Sequence, residues 1–360
     1  MAKKLKVGIL FGGRSGEHEV SLQSAASIMK AIDRRKFDVV PIGINKSGHW
    51  LTAEAAQVLL KGAGAPEAQG EAQAVESGVA LSGLDVVFPV LHGTFGEDGT
   101  IQGLFELAGI AYVGAGVLGS SAGMDKDVMK RLFLQAKLPQ VRYVTLLRAE
   151  WERSPRKAVA EVEAALKYPV FVKPANLGSS VGISKAHDRK ELTAALKLAA
   201  KYDRKLVVEL GVGGKMAKAR EFEVGVLGND LPKASVVGEI VPGKEFYDYE
   251  AKYLSEGSIP VIPARLSKAE TKQIREMAVA AFRACDLSGL ARVDFLMEPG
   301  GKRRIFVNEV NTMPGFTKIS MYPKLWEATG LPYKDLITRL IELGLERHTE
   351  KSRTIYRREQ

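Results

Sequence analysis

Two apolar runs, Arg292 to Met297 and Ile305 to Val310, are each interrupted by charged or amide side chains, and Pro299-Gly300-Gly301 lies between them. That pattern predicts two strands joined by a turn. Side chains alternate faces along a strand. Arg292 and Asp294 therefore share one face of the first strand, and Glu309 and Asn311 share one face of the second. If the pairing register joins those faces, two carboxylates, an amide oxygen and a guanidinium converge on a sheet surface. Neighbouring carboxylates oppose each other's ionisation unless a cation sits among them. An oxygen-only ligand set suits magnesium shared with substrate phosphates. The same residues also describe two solvated polar stripes on a surface hairpin.

The chain is long enough for two or three domains at 360 residues, and its 46% hydrophobic and 26% charged content is that of a soluble globular protein. No apolar run approaches the roughly 18 residues of a membrane span. Val7–Phe11 is too short for a secretory apolar region and reads as a first strand. A single Cys285 cannot form an internal disulfide, so a cytoplasmic location is expected. The net charge is +10, of which +3 lies in residues 347–360 (five Lys/Arg, two Glu). The rest is diffuse and fits a small anionic ligand, and there is no nucleic-acid-binding signature.

The predicted fold class is α/β, α+β in part. Residues 1–118 alternate strand and helix signals: Val7–Phe11, Val39–Ile44, Asp85–Leu91 and Ile110–Val113 are strands. A helix between the first two places Leu22, Ala25, Ala26, Met29 and Ile32 on one face. This is an N-terminal α/β domain with a parallel sheet, and ligands bind beyond the carboxyl ends of such strands. Two of those ends are polar and glycine-rich, at Gly12–Glu19 and His92–Thr100. Residues 119–210 form a central unit, with a helix opened by Ser154-Pro155, a strand at Val170–Lys173, a helix capped by Asp188 with Glu191, and a strand at Leu206–Glu209. Residues 211–347 form a C-terminal unit with strands at Glu221–Leu227 and Ser235–Val241, a helix capped by Ser267 with Glu270, and the polar hairpin. Residues 348–360 read as a basic solvated tail, and Ala63 to Val79 as a loose surface excursion.

Several short segments suit an anionic ligand. In Lys173-Pro174-Ala175-Asn176-Leu177-Gly178-Ser179-Ser180 a strand runs into a small-residue loop whose N–H groups can approach phosphate oxygens. An ordinary hairpin loop has the same composition. Lys126 opens a helix with Lys130 one turn later on the same face. Phe246 to Tyr253, with four aromatic residues in eight, suits either a lid that excludes water or a permanently packed loop. Gly315, just past the hairpin, can present a bare N–H to developing negative charge.

Five segments together resemble the D-alanine–D-alanine ligase family of the ATP-grasp superfamily. They are Phe11-Gly12-Gly13 through Ser21, His92-Gly93 through Gly103, Lys173-Pro174 through Gly182, Tyr247 through Tyr253, and Arg292-Val293-Asp294 with Asn308 through Gly315. They occur in the family's order and span residues 7 to about 325.

The resemblance implies a three-domain fold with ATP gripped between the central and C-terminal domains. It implies ATP-dependent joining of two D-alanine molecules through a D-alanyl phosphate, supplying peptidoglycan precursor. By the same carry-over, Asp294, Glu309 and Asn311 would hold two magnesium ions, with manganese a possible substitute. ATP would meet Lys126, Lys173, Ser180, Glu209, Val212 and Glu221. The catalytic set would be Glu17, Ser179, Tyr253, Arg292 and Gly315, with Glu17 on the ammonium of the first D-alanine. His92 would lie near that substrate, and Lys252, Ser320 and Met321 would meet the carboxylate of the second. Met321 stands where the family commonly has leucine, and residues 213–218 depart from the family pattern. The expected partners are D-alanine and ATP, with the chain a homodimer and no nucleic acid or membrane. The alternatives are a D-alanine–D-lactate ligase, against which Tyr253 argues, or another ATP-grasp carboxylate–amine ligase.

Overall fold

The computed structural model describes residues 3–61, 74–178, 181–213, 218–241, 259–301, 303–317 and 319–356. Its strands assemble three sheets in chain order.

The first sheet comprises β1 (Leu5–Gly12), β2 (Phe37–Ile44), β3 (Trp50–Leu51), β4 (Ala74–Val75), β5 (Val86–Pro89) and β6 (Ala111–Tyr112), in the order β4-β3-β2-β1-β5-β6. β1 pairs in parallel with β2 and β5, and β5 with β6, as the α/β pattern predicts. The two short edge strands are antiparallel. Both faces are covered, which is why β1 is apolar in both directions. Val7, Ile9 and Phe11 pack on one side against the helices His18–Ala31 and Ala53–Leu60. Leu10 and Val87 pack on the other against Ile101 and Phe105 of the helix Thr100–Leu107. The first helix turns slightly from its expected face: Ile28 is buried and Ala26 is exposed. The edge Ala25/Ile28 wins because burying the larger side chain removes more apolar area from water.

The second sheet is antiparallel, β7 (Tyr143–Leu147), β10 (Lys205–Leu210), β8 (Val170–Pro174) and β9 (Ser184–Ala186) in that order. The helices Pro155–Ala165 and Arg189–Ala199 close its core through Val159, Val162, Leu192 and Leu196. Asp188 caps the latter by accepting from Glu191 N at 2.8 Å.

The third sheet is also antiparallel, β13 (Ile259–Val261), β12 (Lys233–Val241), β11 (Arg220–Gly228), β14 (Gly289–Met297) and β15 (Ile305–Asn311). The helix Lys268–Ala284 lies on one face, its start fixed by the predicted Ser267–Glu270 capping box. Met129 and Phe133 of the helix Lys126–Gln135 belong to this same core. The helix Met321–Ala328 covers the opposite face, where Met321 and Leu325 meet Ile240.

The last helix, Tyr333–Ser352, runs five residues into the segment expected to be a solvated tail. Lys351 pairs with Glu106 at 2.5 Å, and the Arg347 guanidinium stacks 4.1 Å over the Tyr112 ring. Leu336, Ile337, Leu340 and Ile341 of this helix complete the core of the first sheet. The described residues contain no helix long and apolar enough to cross a membrane.

Candidate active site

The predicted hairpin forms with a register that joins its two polar faces. Asp294 lies opposite Glu309, and Arg292 opposite Asn311. This juxtaposition depends on an irregularity that the sequence pattern concealed. Phe295 pairs with Val307 and Asp294 with Glu309, so Asn308 is an extra residue in β15. Strict alternation from Ile305 and Val307, both in the core, would have driven Glu309 inward. The bulge reverses the parity, turns Glu309 and Asn311 out and leaves Val310 buried. Asn308 itself is re-aimed and accepts from Lys173 Nζ at 3.4 Å.

Arg292 holds Asp294 through both carboxylate oxygens at 2.7 and 2.8 Å and also pairs with Glu223 at 3.1 Å. Asn311 Nδ2 donates to Asp294 Oδ2 at 3.0 Å. Asp294, Glu309 and Asn311 thus offer two carboxylates and an amide oxygen on one surface. Among the described residues no cluster of three or more His, Cys, Asp or Glu is arranged to hold a metal unaided. The oxygen set fits a hard cation that completes its shell from substrate phosphate.

Two lysines approach from neighbouring elements. Asp125 caps the helix Lys126–Gln135, which puts Lys126 in its first turn. Lys126 Nζ donates to Leu177 O at 2.9 Å and lies 3.5 Å from Glu309. Lys173, at the end of β8, pairs with Glu209 at 2.7 Å, and Lys130 reaches the other oxygen of Glu209 at 3.0 Å. Burial opposes ionisation of Glu209, yet Lys130 and Lys173 outweigh it and hold the carboxyl down at about 2. Burial likewise opposes a charged Lys173. The carboxylates of Glu209, Glu309 and Glu221 overcome that and raise it. For Lys130 burial prevails, and its affinity for a proton is lowered. Glu221 is therefore within electrostatic reach of Lys173. Val212 sits half-buried in the turn after β10.

A cleft joins part of this set to the first domain, lined at once by Glu17, His92, Lys126, Arg292, Glu309, Asn311, Gly315, Ser320 and Met321; Asp294, Lys173 and Glu209 lie outside this lining. Glu17 is buried just before the helix His18–Ala31. A Cβ on either Gly93 or Gly178 would sit 2.7 Å from Glu17 Oε2, so glycine lets both loops close around this carboxylate without displacing it, and Gly93 also has a left-handed backbone at φ +72°. His92 is buried, with Nδ1 at 2.9 Å from Met313 O and Nε2 at 3.3 Å from Ser24 Oγ. The carbonyl can only accept, so Nδ1 carries the proton and Nε2 is the acceptor. Both ring nitrogens are engaged within the protein, and burial lowers the imidazole's proton affinity. His92 thus meets the cleft as a neutral, internally bonded ring.

Ser320 precedes the helix Met321–Ala328, and its Oγ accepts from Thr317 N at 3.0 Å. Of the expected site residues, Ser179, Ser180, Lys252 and Tyr253 lie outside the described residues. Three further charged groups belong to the site: Glu223 and Glu97 line the cleft, and Lys130 lies fully buried against Glu209. Lys130 is signalled only by its spacing from Lys126, Glu223 by sharing a strand face with Glu221. Glu97 is pushed up to about 7 by burial and by neighbouring Glu17, and only its place in the glycine-rich His92–Thr100 segment hints at a role.

Residues 6–115 match the family model described as the D-ala D-ala ligase N-terminus, and residues 132–342 match that of the D-ala D-ala ligase C-terminus. A D-alanine–D-alanine ligase from Heliobacterium modesticaldum is 53% identical over 97% of both chains. Among solved structures, the D-alanine–D-alanine ligase from Coxiella burnetii superposes with a TM-score of 0.79 at 38% identity, covering 98% of this chain and 97% of that one. The VanG D-Ala:D-Ser ligase from Enterococcus faecalis gives a TM-score of 0.80 at 37% identity, over 95% of this chain and all of that one.

Proposed function

The chain belongs to the D-alanine–D-alanine ligase family, and from that premise we propose which of its residues carry the reaction. The enzyme is an ATP-dependent, ADP-forming ligase that joins two D-alanine molecules, a step of cell-wall synthesis. The observation supporting the residue assignment is that one cleft is lined by an ammonium-type anchor (Glu17), a phosphate-type lysine (Lys126), the oxygen-rich hairpin and the Gly315 backbone.

The carboxylate of the first D-alanine is a poor nucleophile toward an anionic phosphoryl group, so charge must be neutralised around the triphosphate. Lys126 and Lys173 bind its oxygens, with Ser180 over them, and Glu209, Val212 and Glu221 bound the nucleotide pocket. Asp294, Glu309 and Asn311 would hold two magnesium ions, replaceable by manganese, which supply positive charge to the phosphates. Glu17 orients the first D-alanine by its ammonium, and Ser179 with Tyr253 closes over it. Attack on the γ-phosphorus releases ADP and leaves D-alanyl phosphate. The amine of the second D-alanine, held at its carboxylate by Lys252, Ser320 and Met321, then attacks the acyl carbon and phosphate departs. Arg292 and the Gly315 N–H stabilise the oxyanion formed in that attack. Loss of one such donor typically costs about 3 kcal/mol of barrier.

We assign residues 1–118 to an N-terminal substrate domain, 119–210 to a central and 211–347 to a C-terminal ATP-grasp domain, with 348–360 a basic tail. The helix Tyr333–Ser352 packs back on the first of these. A cytoplasmic homodimer is the working assembly. Phosphate release from ATP with D-alanine, L-alanine and D-lactate compared side by side tests the function. D-alanine alone should support release together with dipeptide, and release without dipeptide would sink the proposal.

A further inference from the structure

We propose that Glu97, with Ser24, is a positioning residue for the Gly315 oxyanion donor: the two fix the Met313–Phe316 segment from the first domain so that the Gly315 N–H points into the cleft. The inference rests on the reading of Gly315 given above.

The hydrogen bonds of this segment can be accounted for group by group. Met313 N–H donates to Glu97 Oε1 at 2.9 Å, and Met313 C=O accepts from His92 at 2.9 Å. Pro314 has no N–H. Phe316 N–H donates to Ser24 Oγ at 3.2 Å. Among the described residues no acceptor takes the Gly315 N–H, and Gly315 lines the cleft. The peptide groups on either side are thus committed to the first domain, while the one between them belongs to a residue that lines the cleft.

Glu97 does more than bind one peptide. Its second oxygen accepts from Gly93 N at 2.8 Å, and Gly93 is the glycine that closes around Glu17. A single buried carboxylate therefore ties the wall of the first D-alanine site to the segment that carries the oxyanion donor. The geometry of the first substrate and of the donor toward its acyl carbon is set by the same group. Two acceptor oxygens are needed because both partners are donors. A glutamine at this position accepts from one N–H and turns its own N–H2 toward the other.

The test follows both products. If the donor is misplaced, D-alanyl phosphate still forms but the second amine attacks slowly. Water then cleaves the acyl phosphate to D-alanine and inorganic phosphate, so ATP is consumed without dipeptide. Glu97→Gln should lower kcat for dipeptide by up to about a hundredfold, as small misplacements do, with KM for ATP nearly unchanged and the ratio of ADP to dipeptide above unity. Ser24→Ala should show the same uncoupling in milder form, and it carries the test should Glu97→Gln fail to fold. An ADP-to-dipeptide ratio that stays at unity in the folded variants overturns the proposal, whether or not kcat falls. Failure of the wild-type enzyme to make dipeptide at all would instead overturn the reading of the site.

Discussion

Glu209 holds Lys173 at 2.7 Å and does so from the interior, with 4% of its side chain exposed against 10% for the lysine. Lys130, fully buried, shares the same carboxylate. Lys173 is thus mounted on a buried ionic scaffold that keeps it charged and aimed, and under the proposed function an incoming triphosphate would meet a cation already oriented.

Removing that carboxylate leaves two ammonium groups in a desolvated site. Glu209→Gln is expected to cost about 3–5 kcal/mol of stability, the usual penalty for orphaning a buried charge. KM for ATP should rise as well. Urea unfolding and ATP titration of turnover measure the two effects, and a variant with wild-type stability would contradict the scaffold.

The same group predicts an acid limb. Its carboxyl falls from an ordinary 4.5 to about 2 on folding. The unfolded chain therefore binds the proton more readily than the folded one between those values, so stability drops as pH falls through that window. The contribution is roughly 3 kcal/mol, fully present above pH 4.5 and lost toward pH 2. Denaturant unfolding of wild type and Glu209→Gln between pH 7 and 2.5 should show this slope in the former and its loss in the latter.

Glu309 faces the cleft opposite Asp294 and within 3.5 Å of Lys126. Glu309→Gln should reduce phosphate release at least about a hundredfold, since several kcal/mol of charge stabilisation are at stake, while the melting temperature changes little. Chelation should abolish wild-type turnover and added magnesium restore it. A fully active variant would remove Glu309 from the cation site.

Phe316 anchors the Met313–Phe316 segment in the core. Its ring contacts Phe88 edge-on at 5.8 Å, with Tyr322 and Tyr333 at 5.7 and 5.9 Å. Phe316→Ala should cost about 3–5 kcal/mol and lower kcat further than an equally destabilising cavity in the second sheet, such as one at Leu196. Equal kcat in the two variants would separate this ring from catalysis.

The strands and capped helices were legible because they rest on local signals: alternation, Ser267 with Glu270, and Asp188 with Glu191. Asp294 and Glu309 were also legible as a pair, but for an incomplete reason. Periodicity alone cannot reveal the extra residue at Asn308 that sets Glu309 on the cleft side. Glu97 escaped because a charge on a loop looks solvated until another domain covers it, and Lys130, visible only as the neighbour of Lys126, because its partner Glu209 lies on a distant strand. The engagement of both His92 nitrogens likewise arises from Ser24 and Met313, respectively 68 and 221 residues away in sequence. The spacing of apolar residues in Tyr333–Ser352 speaks for an amphipathic helix but does not name the surface it meets.

That surface has a consequence for biosynthesis. Leu336, Ile337, Leu340 and Ile341 close the sheet begun by Val7 and Ile9, so these strands are covered by residues made more than 300 positions later. At roughly 5–20 residues per second, a greasy face stands open for tens of seconds while everything between is translated. Nascent chains halted before residue 333 should therefore depend on holdase chaperones, and a nonsense mutation there would yield an aggregating product.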